Sequence, residues 1–376
     1  MSKNTEIKLS NMPSMTVGKL VEQLSGAYTT VLNARLPVAT VPAVMLWGPP
    51  GVGKSQAVRQ VAKEIEKNTG KRVLVTDVRL LLFNPIDLRG IPVANDDRTL
   101  AVWLKPKIFQ MDPSDGVVNI LFLDEISAAP QSVQAAAYQI TLDRVVGEHR
   151  LPDNCIVIAA GNRVTDKSVA FKMPKALANR LMHVEIEGSF RSWKEWALKN
   201  GVNDKVIGFL SFRQNYLMDF DTASEDLAFP TPRSWEMVSR LLNGVSDDPE
   251  AIAPLIAGIV GSGVASEFRT WTKVYRDLPD VEDIFSGKTP PVPKNADALY
   301  ALCSAMTACA REHRSETDRV ANSVSYAIRM LPPDFSVMVM QDYMALDPEF
   351  KNSLLTLPEF SRFLSQRGSM LNGSVR

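Results

Sequence analysis

The sequence predicts an α/β fold, a central parallel sheet flanked by helices, followed by an all-α region. Three observations predict it. Apolar, β-branched runs at 41–47, 72–80, 117–123 and 154–160 alternate with stretches of helical period, the order expected when parallel strands are joined by helical crossovers on both faces. The run 117–125, VVNILFLDE, is apolar and then abruptly acidic, as a central strand is when it delivers carboxylates to the carboxyl edge of a parallel sheet. After Val184-Glu185-Ile186 the strand signal ends and helical spacing continues toward residue 366.

Taken in order, residues 1–15 are polar, contain proline and lack an apolar period, so they read as a loose leader. A helix is expected over 17–35, where Leu20, Leu24, Tyr28, Val31 and Leu32 share one face. The strand at 41–47 leads into a glycine-rich loop and a helix over 55–68 that Gly70 closes. Strand 72–80, RVLVTDVRL, comes next. Within 84–106, Gly90-Ile91-Pro92 and Asn95-Asp96-Asp97 punctuate two short alternating runs, a hairpin signal. A turn at 112–116 precedes the strand at 117–123, a helix is expected over 130–145, and the strand at 154–160 ends in Gly161-Asn162-Arg163.

These elements make an α/β domain over 16–188, and the helices that follow are clearest at 192–200, 204–212, 231–243 and 249–264. We divide them into a helical domain, 189–259, and an additional helical region, 260–376. A linker at 286–294, rich in Pro, Gly and Lys, precedes a last helical group at 296–366, and 367–376 reads as a frayed tail. Trp193, Trp196, Trp235 and Met237 recur at helical spacing and read as core.

Composition bounds the function. A chain of 376 residues, 45% apolar, has material for two or three domains. Lys plus Arg and Asp plus Glu are equal at 42 each, so no whole-chain field draws a nucleic acid or a membrane surface. Cys155, Cys303 and Cys309 are odd in number and lack zinc-ligand spacing, and with His149, His183 and His313 as the three histidines a metal cage is not expected. They read as buried free thiols in a reducing compartment. The opening segment lacks the basic, long-apolar and small-residue parts of a secretory signal, and no run of 18 apolar residues occurs. A cytoplasmic location is therefore expected.

The chemistry begins at Gly48-Pro49-Pro50-Gly51-Val52-Gly53-Lys54-Ser55, set between an apolar run and helix-forming residues that start with Gln56. This is a nucleotide-binding P-loop. Its glycines let successive backbone N–H groups turn toward phosphate oxygens, and the helix that follows adds its positive dipole end. Lys54 is placed as a point charge on the β- and γ-phosphates, and the Ser55 hydroxyl can ligate Mg²⁺. The fold class is therefore a P-loop NTPase.

Asp124 and Glu125, following LFL, supply the rest of a hydrolytic site. An aspartate at a strand end can hold the Mg²⁺ water shell, and a glutamate one residue later can polarise a water for in-line attack on the γ-phosphate. Asn162 would lie beside them if its strand neighbours theirs, where it could orient that water; alternatively it is a turn residue paired with Gly161. Arg180 in KALANRLMH and Arg233 in TPRSWEMV are weaker readings, since either could be an exposed helix residue.

With GPPGVGKS, LFLDEIS, AAGNR, NRL and TPRSW in this order and spacing, the chain resembles an AAA+ ATPase over about 15–245, most closely the MoxR-like branch of the dynein-related (AAA_5) type. The resemblance implies that Lys54 and Ser55 are the Walker A pair, Asp124 and Glu125 the Walker B pair, and Asn162 sensor 1, with ATP and Mg²⁺ as cofactors. It makes 189–259 a lid, with Arg233 as sensor 2. Arg180 resembles an arginine finger directed to the neighbouring subunit, with Arg163 a competing candidate. The hairpin within 84–106 resembles the helix 2 insert, which typically faces a central pore. Such proteins are ring-forming chaperones or remodelling ATPases, usually hexamers, and often work with partners carrying a von Willebrand factor A domain. One departure is ISAAPQSVQ after Walker B, where many relatives carry Asn-Arg-Ala. Two rivals stay open: a nucleotide-switched assembly platform, and a DNA-acting motor of the clamp-loader or helicase kind, which the neutral charge disfavours.

Overall fold

The computed structural model describes residues 12–163, 173, 178–219 and 226–371. The chain divides into two compact units, Met1–Gly188 and Ser189–Arg376.

The first unit is built on six parallel strands. In chain order it contains β1 (Ser14–Thr16), α1 (Val17–Asn33), β2 (Val44–Trp47), α2 (Lys54–Thr69), β3 (Arg72–Arg79), α3 (Pro85–Arg89), the antiparallel pair β4 (Ile91–Ala94) and β5 (Ala101–Leu104), then β6 (Val117–Asp124), α4 (Gln131–Asp143), a second small hairpin β7 (Val145–Val146) and β8 (His149–Arg150), β9 (Cys155–Gly161) and β10 (Met182–Glu187). The main sheet runs β1-β10-β2-β9-β6-β3. β6 and β9 are buried along almost their whole length because both faces are covered, which is why their sequences read as unbroken apolar runs.

Four expectations change here. The leader at 1–15 is shortened, because Ser14–Thr16 pairs in parallel with Glu185–Glu187 as an edge strand; a three-residue edge strand is too short to show a period. Residues 1–11 of that leader lie outside the described residues. The helix expected over 130–145 stops at Asp143, since Arg144 takes a left-handed φ of 55° and the chain turns into β7. The helix expected over 249–264 is two helices, broken at Gly261 (φ 86°), where a Cβ would lie 2.9 Å from the Ala228 carbonyl oxygen. Met237 is 46% exposed, because two residues along a helix from the fully buried Trp235 point to the opposite side.

Among the described residues the second unit's regular elements are all helices: α5 (Phe190–Lys199), α6 (Asp204–Phe212), α7 (Pro232–Gly244), α8 (Ala253–Val260), α9 (Ser262–Thr272), α10 (Val281–Phe285), α11 (Ala296–Glu312), α12 (Thr317–Met330), α13 (Pro333–Leu346), α14 (Pro348–Thr356) and α15 (Pro358–Leu371). Thr231 caps α7 through a reciprocal bond with Ser234. Phe209 lies 5.3 Å from Phe268 and 5.5 Å from Trp235 between ring centroids, an aromatic centre from which one buried cluster extends from Trp193 to Phe363. The division at 259/260 therefore does not separate two cores. A buried ion pair, Lys194 Nζ to Asp342 Oδ2 at 2.7 Å, ties α5 to α13 across it. The segment 286–294 also packs, with the Pro290 carbonyl accepting from Tyr326 Oη at 3.1 Å. The helix at the carboxyl end runs to Leu371, and 372–376 lie outside the described residues.

No helix among the described residues is long and apolar enough to cross a membrane. All three cysteines are free and buried.

Candidate nucleotide site

The site forms where β2, β6 and β9 end together. β2 lies between β10 and β9, and β9 between β2 and β6, so the loop after Trp47, the acidic pair after Leu123 and the turn after Gly161 emerge side by side. Gly53 stands at the N-cap of α2 with φ 106° and offers no side-chain cap, so the first N–H groups of the helix, which have no intrahelical acceptor, open toward the loop. Only glycine adopts that φ without strain, and a Cβ on Gly53 would also touch Val17 Cγ2 at 3.4 Å.

Lys54 is buried. Its ammonium donates to the Gly48 carbonyl at 2.6 Å, the Pro49 carbonyl at 3.0 Å and Asn162 Oδ1 at 2.7 Å. Ser55 Oγ donates to Asp124 Oδ2 at 2.9 Å, while the other carboxylate oxygen accepts from the Glu125 N–H at 2.9 Å. Glu125 is exposed and adopts a left-handed φ of 59°, a conformation that costs a non-glycine residue about 1 kcal/mol or more. The turn is held by Ile126 N–H donating to the Ala160 carbonyl at 3.0 Å. Thus two hydrogen-bonded pairs, Lys54 with Asn162 and Ser55 with Asp124, stand side by side through the adjacent residues 54 and 55, with Glu125 following Asp124. Gly51 has φ 78°; Val52 is buried, and its N–H donates to the Pro49 carbonyl at 3.4 Å, closing the loop that also holds Pro50. Gln56 follows in the first turn of α2.

Sequence reasoning missed three parts of this edge. Ser127 is buried and its Oγ accepts from the Asn162 N–H at 2.9 Å; a Cβ on Gly161 would come within 2.8 Å of that oxygen. Its only sequence signal is a serine three residues after Asp124. Asp77 on β3 is the second, with a side chain 31% exposed and 3.8 Å from Arg59. Burial and then the neighbouring Asp124 carboxylate push its pKa up. The third is Trp47, which donates from Nε1 to His183 Nδ1 at 2.9 Å. That bond leaves His183 Nε2 to donate to the Ala178 carbonyl at 2.7 Å, linking the residue before the P-loop to the turn that carries Arg180.

The two candidate trans arginines are placed differently. Arg163 lies at the carboxyl edge and pairs with Glu185 on β10. Arg180 is exposed at the amino edge, two residues before Met182, which pairs with Val44 at the start of β2. The length of β2, ~13 Å at about 3.3 Å per residue, separates it from its own P-loop, and it borders an open cavity of about 600 Å³ with Arg144 and Asp143. Arg233 belongs to the second unit, exposed in the first turn of α7. The hairpin β4–β5 surrounds a groove of about 470 Å³ lined by Leu82, Ile86, Ile91 and Leu104, all more than half exposed.

The residues that make this edge lie within a segment that matches a known family. Residues 43–183 match the "ATPase family associated with various cellular activities (AAA)". A "Probable replication factor C subunit 5" of Caenorhabditis elegans is 26% identical over 246 residues, and the match covers 60% of this chain and 63% of that protein. Among solved structures, a RuvB mutant of Thermotoga maritima aligns with 78% of this chain and 83% of its own, at 14% identity and a TM-score of 0.35. NtrX from Brucella abortus in complex with ATP aligns with 88% and 68%, at 15% identity and a TM-score of 0.34. Residues 43–183 are thus similar to the ATPase module of that family.

Proposed function

We propose that this chain is a Mg²⁺-dependent ATPase of the ring-forming, MoxR-like kind that remodels a protein partner. The carrying observation is the pair of side-chain bonds Lys54–Asn162 and Ser55–Asp124, with Glu125 next in sequence, on the carboxyl edge of the sheet. The residues fit the nucleotide: a positive-φ glycine opens an uncapped helix N-terminus, and a buried ammonium donates to loop carbonyls that phosphate oxygens can replace. Ser55 Oγ and the Asp124 carboxylate would hold Mg²⁺, which supplies charge neutralisation at the phosphates. Lys54 binds the β- and γ-phosphates. Glu125 accepts the proton of the attacking water, and Asn162 orients that water.

The finer features rest on different supports. Arg180 is favoured over Arg163 as the trans arginine because it is exposed at the far edge from its own P-loop, whereas Arg163 pairs beside that loop. This supports a ring, by resemblance a hexamer, in which ATP and ADP occupy subunit interfaces. Arg233 carries its sensor 2 role from the motif alone. The exposed apolar side chains around β4–β5 support a protein client, and a von Willebrand factor A partner is the companion the resemblance implies. Steady-state ATP hydrolysis by Glu125→Gln and Arg180→Ala tests the assignment. We expect Glu125→Gln to lose roughly 10²–10⁴-fold in turnover, and wild-type turnover in both variants would sink it.

A second reading, a clamp-loader-type motor on DNA, is favoured by the relative named as a replication factor C subunit. The equal acidic and basic counts weigh against it. DNA affinity that falls steeply with added salt would support it; no such binding would remove it.

A further inference from the structure

Away from the nucleotide site, the second unit brings together three chemically matched ligand atoms. We propose that Glu282, Cys309 and His313 bind one divalent ion of the zinc class. Cys309 lies in the last turn of α11 and His313 is that helix's C-cap, four residues on, so both project to the same side. Glu282 faces them from the first turn of α10. The Sγ, a ring nitrogen and a carboxylate oxygen all lie within 4.8 Å of one another. Glu282 Oε1 is 2.9 Å from His313 Nε2 and 3.5 Å from Cys309 Sγ. Bond lengths of about 2.0–2.3 Å in a tetrahedral zinc site place ligand atoms ~3.3–3.6 Å apart, so small side-chain adjustments suffice.

Three surroundings distinguish this cluster from a chance meeting of polar groups. His313 Nδ1 donates to Glu316 Oε1 at 2.7 Å, the outer carboxylate that orients a metal-bound imidazole and leaves Nε2 toward the ion. Arg319 engages Glu282 Oε2 and lies 3.8 Å from Glu316 Oε2, holding both carboxylates and leaving Oε1 for the cluster. The fully buried Phe285 ring packs against the His313 ring at 5.9 Å, and Cys309 is itself buried, so one side of the site is dry while Glu282 opens the other. One thiolate, one imidazole and one carboxylate suit Zn²⁺ over Mg²⁺ or Ca²⁺, which take oxygen ligands, with the fourth position left to water.

Metal binding exchanges two protons for the ion. Without metal, Sγ–H and Nε2–H both donate to Glu282 Oε1; with metal, both protons leave to solvent and the ion takes their place. The thiolate and the two carboxylates are then balanced by the dication and Arg319.

The test uses the full chain, reduced and chelator-stripped, with excess Mg²⁺ present, titrated with Co²⁺ and then Zn²⁺. We expect a thiolate-to-cobalt charge-transfer band that saturates at one equivalent and is bleached by Zn²⁺. The band separates this site from the P-loop, whose Ser55 and Asp124 carry no sulfur. Cys309→Ser should abolish the band, and Cys303→Ala should retain it. Glu316→Gln should keep the band and weaken Zn²⁺ binding by about 10–100-fold; this variant leaves the buried thiol in place and decides the matter if Cys309→Ser fails to fold. No band at one equivalent, a band that survives in folded Cys309→Ser, or unchanged Zn²⁺ affinity in Glu316→Gln would each overturn the proposal.

Discussion

Two lysines of this chain are buried to nearly the same degree, Lys54 at 9% and Lys194 at 8% exposure, and the acceptors they donate to include different kinds of oxygen. Lys54 donates to two loop carbonyls and to the amide oxygen of Asn162. Lys194 faces the carboxylate of Asp342 at 2.7 Å. Neutral oxygens satisfy an ammonium's hydrogen bonds without cancelling its charge, whereas a carboxylate does both. The three named acceptors of Lys54 are neutral oxygens that an incoming phosphate can replace. The Lys194–Asp342 pair is structural, and joins α5 to α13 within one core.

The largest effect should come from removing the structural lysine. Lys194→Met leaves Asp342 buried without its partner, and loss of one member of such a pair costs about 3–5 kcal/mol, measurable by chemical denaturation. The pH dependence gives a second readout. Burial pushes the Asp342 carboxyl above its ordinary range even with Lys194 present. A carboxyl raised on folding holds its proton more tightly in the folded state, so its contribution to stability is most favourable below the unfolded pKa and is lost as pH rises through the folded one. The cost of Lys194→Met should therefore shrink as pH falls from 7 toward 4. Equal stability loss across that range would show that Asp342 does not carry the charge assigned to it.

Asn162→Asp would give Lys54 a carboxylate acceptor at position 162, as Asp342 gives Lys194. The variant should fold as well as the parent, because the new carboxylate meets the ammonium that already contacts position 162. Nucleotide binding should weaken about 10- to 100-fold, well inside the ~4 kcal/mol of two charges at 4 Å in a medium of effective dielectric 20. Fluorescent-nucleotide titration would measure it, and wild-type affinity would remove the distinction between the two lysines.

The two lysines also differ in how far the sequence reveals them. The surroundings of Lys54 were legible because backbone makes most of them, and an apolar run that breaks into Gly51 and Gly53 before a Lys-Ser pair is specific to a phosphate-binding turn. Asp124 and Glu125 were legible as an acidic break after an apolar strand. Lys194 looked like any charged residue of an amphipathic helix; nothing local shows that Asp342, on a helix far along the chain, lies opposite. For the same reason the buried cluster that runs across 259/260 was not legible: helical periods mark each apolar face without naming its partner. Edge strand β1, the break at Gly261 and the convergence on Glu282 all depend on distant neighbours.

The smallest effect should come from Ser127, which acts on the Lys54 cluster at one remove. Its hydroxyl oxygen accepts the Asn162 N–H at 2.9 Å, and Asn162 Oδ1 in turn accepts from Lys54. Ser127→Ala removes that acceptor at a partly buried site, worth about 1 kcal/mol, or roughly a fivefold change if it appears wholly in turnover. Ser127 is a positioning residue, so kcat should fall while KM for ATP and the denaturation midpoint stay close to wild type. Gly161→Ala presses on the same bond from the other side, since its Cβ would approach Ser127 Oγ and the flexible Met45 Cε at 2.8 Å. If Asn162 works by placement, the two variants should share this signature of kcat loss. If Ser127→Ala instead lowers stability and leaves kcat intact, Asn162 is only a turn residue beside Gly161, and Lys54 has lost one of the neutral contacts that set it apart from Lys194.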